Sequence, residues 1–251
     1  NFQGKICLVT GASRGIGRAI AVMFAEHGAR VAVHYNTNRA AAEETLAALK
    51  GTGHMLIQGD VANPDAVQHM VDSVAREMGG LDILVNNAGI YTEHPVDQVS
   101  YHEWQRQWHD ILYTNLIGAA NLSYCAAQVM IPRGGGRIVN VSSRGAFRGE
   151  PKSPAYGASK AAMNAMGQSL AVALAPHSIY VNTVAPGWVE TDMATEHLEG
   201  PDGDLIRGQS PLKRVAKADE VAWTVLMLAS DKAAFTTGAI LDINGASYLR
   251  T

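Results

Sequence analysis

Apolar and polar positions along this chain follow two alternating rhythms. Short runs dense in Val, Ile and Leu ("KICLVT", "RVAVHY", "HMLIQ", "DILVNN", "GRIVNVSS", "IYVNTV", "GAILDI") are separated by longer stretches in which apolar residues recur every three or four positions. The short runs predict strands and the longer pattern predicts helices. About seven strands result, with helical crossovers between most of them. Runs this uniformly apolar must be covered on both faces. The fold class is therefore α/β: a doubly wound parallel sheet with helices on both sides, spanning residues 1–251 as a single domain.

Local signals punctuate that order. Gly28 and Gly51 stop the first two helices, and Asn63 followed by a proline opens a third over about Pro64–Met78. A long helical region runs from about Ser100 to Met130, and "AYGASKAAMNAMGQSLAVALA" forms another helix. The one irregular stretch is Glu190–Gln209, rich in Gly, Asp and Glu. It is too long for an ordinary connection, so it is either a mobile lid over a site or a disordered loop.

Composition narrows the possibilities. The 251 residues are 47% hydrophobic, enough for a large core, and the formal net charge is −3 with both signs interspersed. No basic cluster marks a nucleic-acid partner. Cys7 and Cys125 lie in apolar stretches, at a spacing that fits neither a metal site nor a disulfide framework, and read as buried reduced thiols. Ile111–Pro132 and Ala161–Val189 lack Asp, Glu, Lys and Arg, but their Asn, Gln, Gly and Pro residues fit buried helices better than membrane spans. With no signal-peptide pattern at the start, a cytoplasmic protein without membrane or metal is expected.

Chemistry enters at "TGASRGIG", Thr10–Gly17, where the first strand hands over to the first helix. Gly11, Gly15 and Gly17 allow a tight turn and let a pyrophosphate approach the backbone, with the helix N-terminus behind it. A glycine turn serving only packing is the plainer alternative. The second strand ends "HYNTNR", with Tyr35 and Asn36 where an NAD-binding chain often has an acid. Without that acid, Arg14, with Arg39 as a second candidate, can pair with a 2′-phosphate, so NADP(H) is the expected cofactor rather than NAD(H). Tyr156 and Lys160 stand four apart on one helix face, where an ammonium would lower the phenol's pKa and fit it for proton transfer. Ser142 and Ser143 end one strand, "VNNAG" (Val85–Gly89) ends another, and Asn115 is an amide in an apolar helix.

Taken together, TGxxxGxG at 10–17, NNAG at 86–89, Ser143, YxxxK at 156–160 and "PGWVET" at 186–191 resemble the short-chain dehydrogenase/reductase family. The resemblance runs from "FQGK" to "LDINGA", and points to the branch that includes beta-ketoacyl-(acyl carrier protein) reductases. It implies a Rossmann-like fold and an NADP(H)-dependent oxidoreductase, exchanging a hydride between nicotinamide and a carbonyl or secondary alcohol. By the same resemblance Tyr156 is the general acid/base, Ser143 bonds the carbonyl, and Lys160 holds the nicotinamide ribose. Asn115 holds a proton-relaying water. Ser13, Arg14, Ile16, Asp60, Val61, Asn87, Ala88 and Gly89 line the cofactor cleft, and Pro186, Gly187, Val189 and Thr191 hold the carboxamide.

Where that branch has an arginine to meet an acyl carrier protein, this chain has His177, with Arg133 nearby as a partial substitute. A non-catalytic nucleotide-binding regulator, the rival from another class, is expected to have lost Tyr156 or Lys160. An epimerase or dehydratase usually has a longer C-terminal region. Substrate-pocket candidates are Tyr91, His94, Arg144, Phe147, Arg148, Trp188 and the 190–209 segment. The charge-poor helices around Asn115–Met130 and Ala161–Ala175 predict a homo-oligomer, with a tetramer implied by the resemblance.

Overall fold

The computed structural model describes residues 1–250. Seven strands, β1 (Ile6–Val9), β2 (Arg30–Tyr35), β3 (Met55–Gln58), β4 (Ile83–Asn86), β5 (Gly136–Val141), β6 (Ile179–Pro186) and β7 (Ile240–Ile243), form one sheet in the order β3-β2-β1-β4-β5-β6-β7. Every pairing is parallel. The winding reverses between β1 and β4, and there the carboxyl ends of the strands open a crevice for ligands.

Strand side chains alternate between two cores. Cys7, Val9, Val31, Val33, Ile83, Val85, Val139 and Val141 face α1 (Gly15–Glu26) and α9 (Ala218–Leu228). Ile6, Leu8, Ala32, Leu84, Ile138 and Val181 face α3 (Pro64–Met78), α5 (Gly118–Met130) and α6 (Pro154–Leu174). Burial on both faces is why these strands read as unbroken apolar runs. The remaining α2 (Arg39–Ala48) and α4 (Tyr101–Leu112) complete the two layers.

Local signals act where the sequence puts them. The Asn63 side chain accepts from the backbone N–H groups of Asp65 and Ala66, capping α3 at its predicted start. Gly79 closes the same helix in the left-handed conformation, φ +86°. Two stretches are more structured than the pattern suggested. The long helical region is interrupted at Tyr113–Ile117 by a π-helical turn. The irregular 190–209 stretch is neither disordered nor a bare loop: it forms α7 (Asp192–Glu199) and α8 (Gly203–Gly208), folded around a small core of Ala194, Leu198, Ile206 and Val215. Cys7 is buried and Cys125 part-buried, both as free thiols. No described helix is long and apolar enough to cross a membrane, and no group of three or more potential metal ligands occurs among the described residues.

Candidate active site

The glycine turn, Asn87, Ser143 and the Pro186–Thr191 segment all follow the carboxyl ends of strands. After β1 the chain turns through Gly11 (φ +61°) and Gly15 (φ +54°) into α1. A methyl group on Gly17 would stand 2.2 Å from the Gly11 carbonyl oxygen, so the turn is as tight as a side chain would forbid. The Asn87 amide holds it, donating to the carbonyls of Thr10 at 2.9 Å and Gly11 at 3.1 Å. The Thr10 hydroxyl oxygen accepts the N–H groups of Asn87 and Ala88. Asn87 thus shapes the glycine turn.

The start of α1 fits an anion. Arg14, at the N-cap, makes no capping bond and its side chain is exposed, and the first turn holds no acid. Its N–H groups and dipole are therefore available to a phosphate. Arg18, which the sequence reading missed, braces the turn by donating to Ser13 O at 2.8 Å and Ala41 O at 3.0 Å. Tyr35 is buried, Asn36 exposed, and Arg39 is paired with Glu43 at 2.8 Å, so Arg14 is the better placed cation. The Asp60 carboxylate caps its own loop at Ala62 N, and Val61 packs against Gly118 of α5.

Deeper in, Lys160 is only 4% exposed, and its Nζ donates to Val141 O at 2.9 Å. Burial pushes its ammonium down to about 8. Asn115 lies in the π-helical turn, a local geometry frequent at functional sites. Its Oδ1 accepts from Ile90 N at 2.8 Å, while its Nδ2 donates to Ile90 O at 3.0 Å and Ser159 Oγ at 3.2 Å. A Cβ on Gly89 would stand 3.2 Å from Asn115 Oδ1 and 3.4 Å from Lys160 Nζ, so these two polar ends converge on one glycine.

Tyr156 departs from the sequence reading. Its phenol is raised, not lowered: burial dominates and Glu150 adds to it, against a smaller opposing contact from Ser143. Lys160 is too engaged elsewhere to reverse this, its Nζ lying 5.8 Å from the Tyr156 ring centroid and bonded to Val141. Ser143 accepts the N–H of Gly145 at 3.0 Å, which sets its hydroxyl at the end of β5.

Tyr156 and Ser143 line a cleft of about 240 Å³, together with Ile16, Pro186, Gly187, Val189 and Thr191. Trp188, His197 and Tyr91 form its aromatic wall, with Tyr91 edge-on to Tyr156 at 5.2 Å. Arg144, Arg148, Glu150 and Gln209 complete it.

A family model described as enoyl-(acyl carrier protein) reductase matches residues 11–246. The chain is 40% identical over 250 residues to a 3-oxoacyl-(acyl-carrier-protein) reductase FabG of Escherichia coli K12, covering 99% of both. It is 39% identical over 247 residues to the protein of the same name from Staphylococcus aureus, covering 98% of both. The chain belongs to the short-chain dehydrogenase/reductase family. Among solved structures, a short-chain dehydrogenase from Burkholderia cenocepacia in complex with NADP superposes with a TM-score of 0.89 at 37% identity, covering 98% of each chain. A Serratia marcescens short-chain dehydrogenase/reductase variant gives 0.90 at 34%, again over 98% of each.

Within this dehydrogenase/reductase fold, two pocket candidates fall outside the cleft. His94 is fully buried; its Nδ1 donates to Thr92 O and its Nε2 accepts the N–H of Ala155, so it caps the first turn of α6. Phe147 lies under the C-terminal segment, its carbonyl accepting the Tyr248 hydroxyl and its ring covered by Arg250 at 4.1 Å. Glu150, which lines the cleft, was not singled out in the sequence. Nothing local marks it, because it reaches the cleft only by folding back beside Gly145.

Proposed function

We propose that this chain is an NADP(H)-dependent carbonyl reductase, or a secondary-alcohol dehydrogenase in reverse, with both binding sites in one domain and the 190–209 helices as its substrate lid. The single observation behind this reading is the convergence of Tyr156, Ser143 and the Pro186–Thr191 segment on one cleft, backed by Lys160. The bound cofactor supplies the hydride.

The protein supplies position and a proton. Gly11, Ser13, Arg14, Gly15, Ile16 and Gly17 receive the phosphates, and Asp60 and Val61 border the adenine. Tyr35 and Asn36 flank the ribose phosphate, Asn87, Ala88 and Gly89 floor the cleft, and Pro186, Gly187, Val189 and Thr191 hold the carboxamide. Ser143 donates a hydrogen bond to the substrate carbonyl oxygen. The Tyr156 hydroxyl then delivers its proton to that oxygen as negative charge develops on it. A phenol kept protonated by burial suits the donor role. Lys160, whose Nζ donates to Val141 O, would hold the ribose hydroxyls with its remaining N–H groups, and the second lone pair of Asn115 Oδ1 would hold the water that returns a proton.

A second reading, reduction of an acyl chain on a carrier protein, draws on the names of the E. coli and S. aureus relatives. Against it, Arg133 and His177 precede β5 and β6, at the amino ends of strands whose carboxyl ends form the cleft. The reading includes a cytoplasmic homotetramer. Tyr101, Tyr124 and Val172 stay exposed on α4, α5 and α6, and Trp223, Phe235 and Leu241 on or near α9 and β7, two apolar surfaces where a tetramer needs two interfaces.

The test is a panel of carbonyl substrates followed by loss of NADPH absorbance. Tyr156→Phe should lower turnover at least about 100-fold while leaving NADPH binding within about twofold. Retention of more than a tenth of the activity would remove Tyr156 from its role.

A further inference from the structure

Arg144 is 5% exposed yet has no anionic partner. Among the described residues no carboxylate lies within 4.0 Å of it, a rarity for a buried guanidinium. Its two hydrogen bonds go to neutral acceptors, from Nη1 to Ser247 Oγ at 2.6 Å and from Nη2 to Gln209 Oε1 at 2.8 Å. An arginine has five N–H donors, so three remain. Its Nε has no partner and is not among the sealed polar atoms, so it opens on the space the residue borders. That space is the cleft of Ser143 and Tyr156 on one side and a second cavity of about 160 Å³ on the other.

The acids nearby are accounted for. In the second cavity Glu220 is held by Arg214 at 2.7 Å, and Asp242 by Arg250 at 2.8 Å. Glu150 lies on the cleft wall without an ion pair among the described residues, and burial raises its carboxyl against the weaker pull of Arg148 and Arg144. Arg148 adds a second guanidinium there, bonded only to the shared Gln209 at 3.4 Å. The cleft therefore holds more positive than negative charge, concentrated one residue from Ser143.

Building on the proposed reductase activity, we infer that the substrate carries an oxyanion, a carboxylate or a phosphate, which Arg144 and Arg148 receive while Ser143 and Tyr156 face its carbonyl. A guanidinium fork pairs with such groups through two parallel bonds, and Gln209, on the segment after α8, already ties both arginines to the lid. The anion completes a charge the protein leaves unpaired. A thioester-linked acyl chain offers no such group beside its keto carbon.

The experiment compares short oxo acids, with varied spacing between carbonyl and carboxylate, against their methyl esters and against a ketone phosphate, all with NADPH and the full chain. At least one acid or the phosphate should exceed its neutral counterpart about 30-fold in kcat/KM, and which of the two prevails names the oxyanion. Arg144→Met should erase that ratio, Arg144→Lys should keep part of it, and Arg148→Met should reduce it. Equal or better use of the esters by the unaltered protein overturns the inference and leaves the reductase reading intact. A loss in Arg144→Met that is the same for acid and ester also overturns it, because a purely structural arginine behaves that way. Binding is read separately by quenching of tryptophan fluorescence, Trp188 lining the cleft. Acids that quench in an Arg144-dependent manner, with no carbonyl reduced, would sink the reductase reading and uphold the anion site.

Discussion

His34 Nδ1 accepts the backbone N–H of Gly11 at 3.0 Å, while its Nε2 donates to Gly59 O at 3.0 Å. One neutral imidazole therefore ties the glycine turn to the loop after β3, and a proton on Nδ1 would break the first bond. Burial holds its pKa below the usual value, against weaker upward pulls from the Gly59 carbonyl and Asp60. A histidine depressed in the folded state takes up its proton more readily when unfolded. Its contribution is complete above about pH 6.5 and is lost as pH falls through the folded value. Melting temperature and NADPH affinity should both drop on acidification from about pH 7 to 5. His34→Gln should be less stable at neutrality and lose much of that acid dependence; an unchanged slope would remove His34 as its source.

Arg14 is exposed beside the free N-terminus of α1, with no acid in the first turn. NADPH should bind at least about tenfold more tightly than NADH, equivalent to ~1.4 kcal/mol. Arg14→Ala should bring the two dissociation constants together in a fluorescence titration. A preference that survives the substitution would assign the 2′-phosphate to other residues.

Lys160 carries a stability cost. Its ammonium is held at about 8 by burial, against an ordinary 10.5, so the folded state disfavours the charge by roughly 3 kcal/mol. Because that pKa is lowered, stability from this group rises with pH between the two values and is complete only above the unfolded one. Lys160→Met removes the penalty and gives up the bond to Val141 O, about 1 kcal/mol. The variant should melt several degrees higher near neutral pH and have almost no turnover. A lower melting temperature would mean that the Val141 bond outweighs the desolvation.

Ala165 is exposed on α6, a helix whose small residues permit close approach. Ala165→Arg should convert the proposed tetramer to smaller species in light scattering, with the circular dichroism spectrum unchanged. An unaltered mass would place the interface on another face.

Much of this molecule was legible from short-range pattern. The strand runs, the Asn63 cap and the glycine turn are set by residues a few positions apart, and Tyr156 and Lys160 share a helix face for the same reason. What escaped is non-local. His94 reads as a pocket residue until α6 is seen to begin at its Nε2. Arg18 and His34 look like an ordinary helix charge and a polar interruption of a strand, yet Arg18 ties the glycine turn to α2 and His34 braces it from β2. The raised Tyr156 phenol was misjudged because spacing reports neighbours, whereas burial depends on the whole fold. The helices of 190–209 were missed because their apolar positions are few and meet a core, around Val215, that lies outside the segment.

The π-helical turn at Tyr113–Ile117 makes this part of the chain more sensitive to length than to composition. A π turn fits one more residue than an α turn, and each residue of an α-helix advances the azimuth by about 100°. Excising one residue there would straighten the ladder into a plain α turn and leave α4, with Trp104 and Trp108, close to its present phase against α5. The Asn115 amide would leave Ile90 in the same motion. The extra residue therefore sets where the Asn115 amide sits without turning the helices on either side, like a shim between two shafts already aligned.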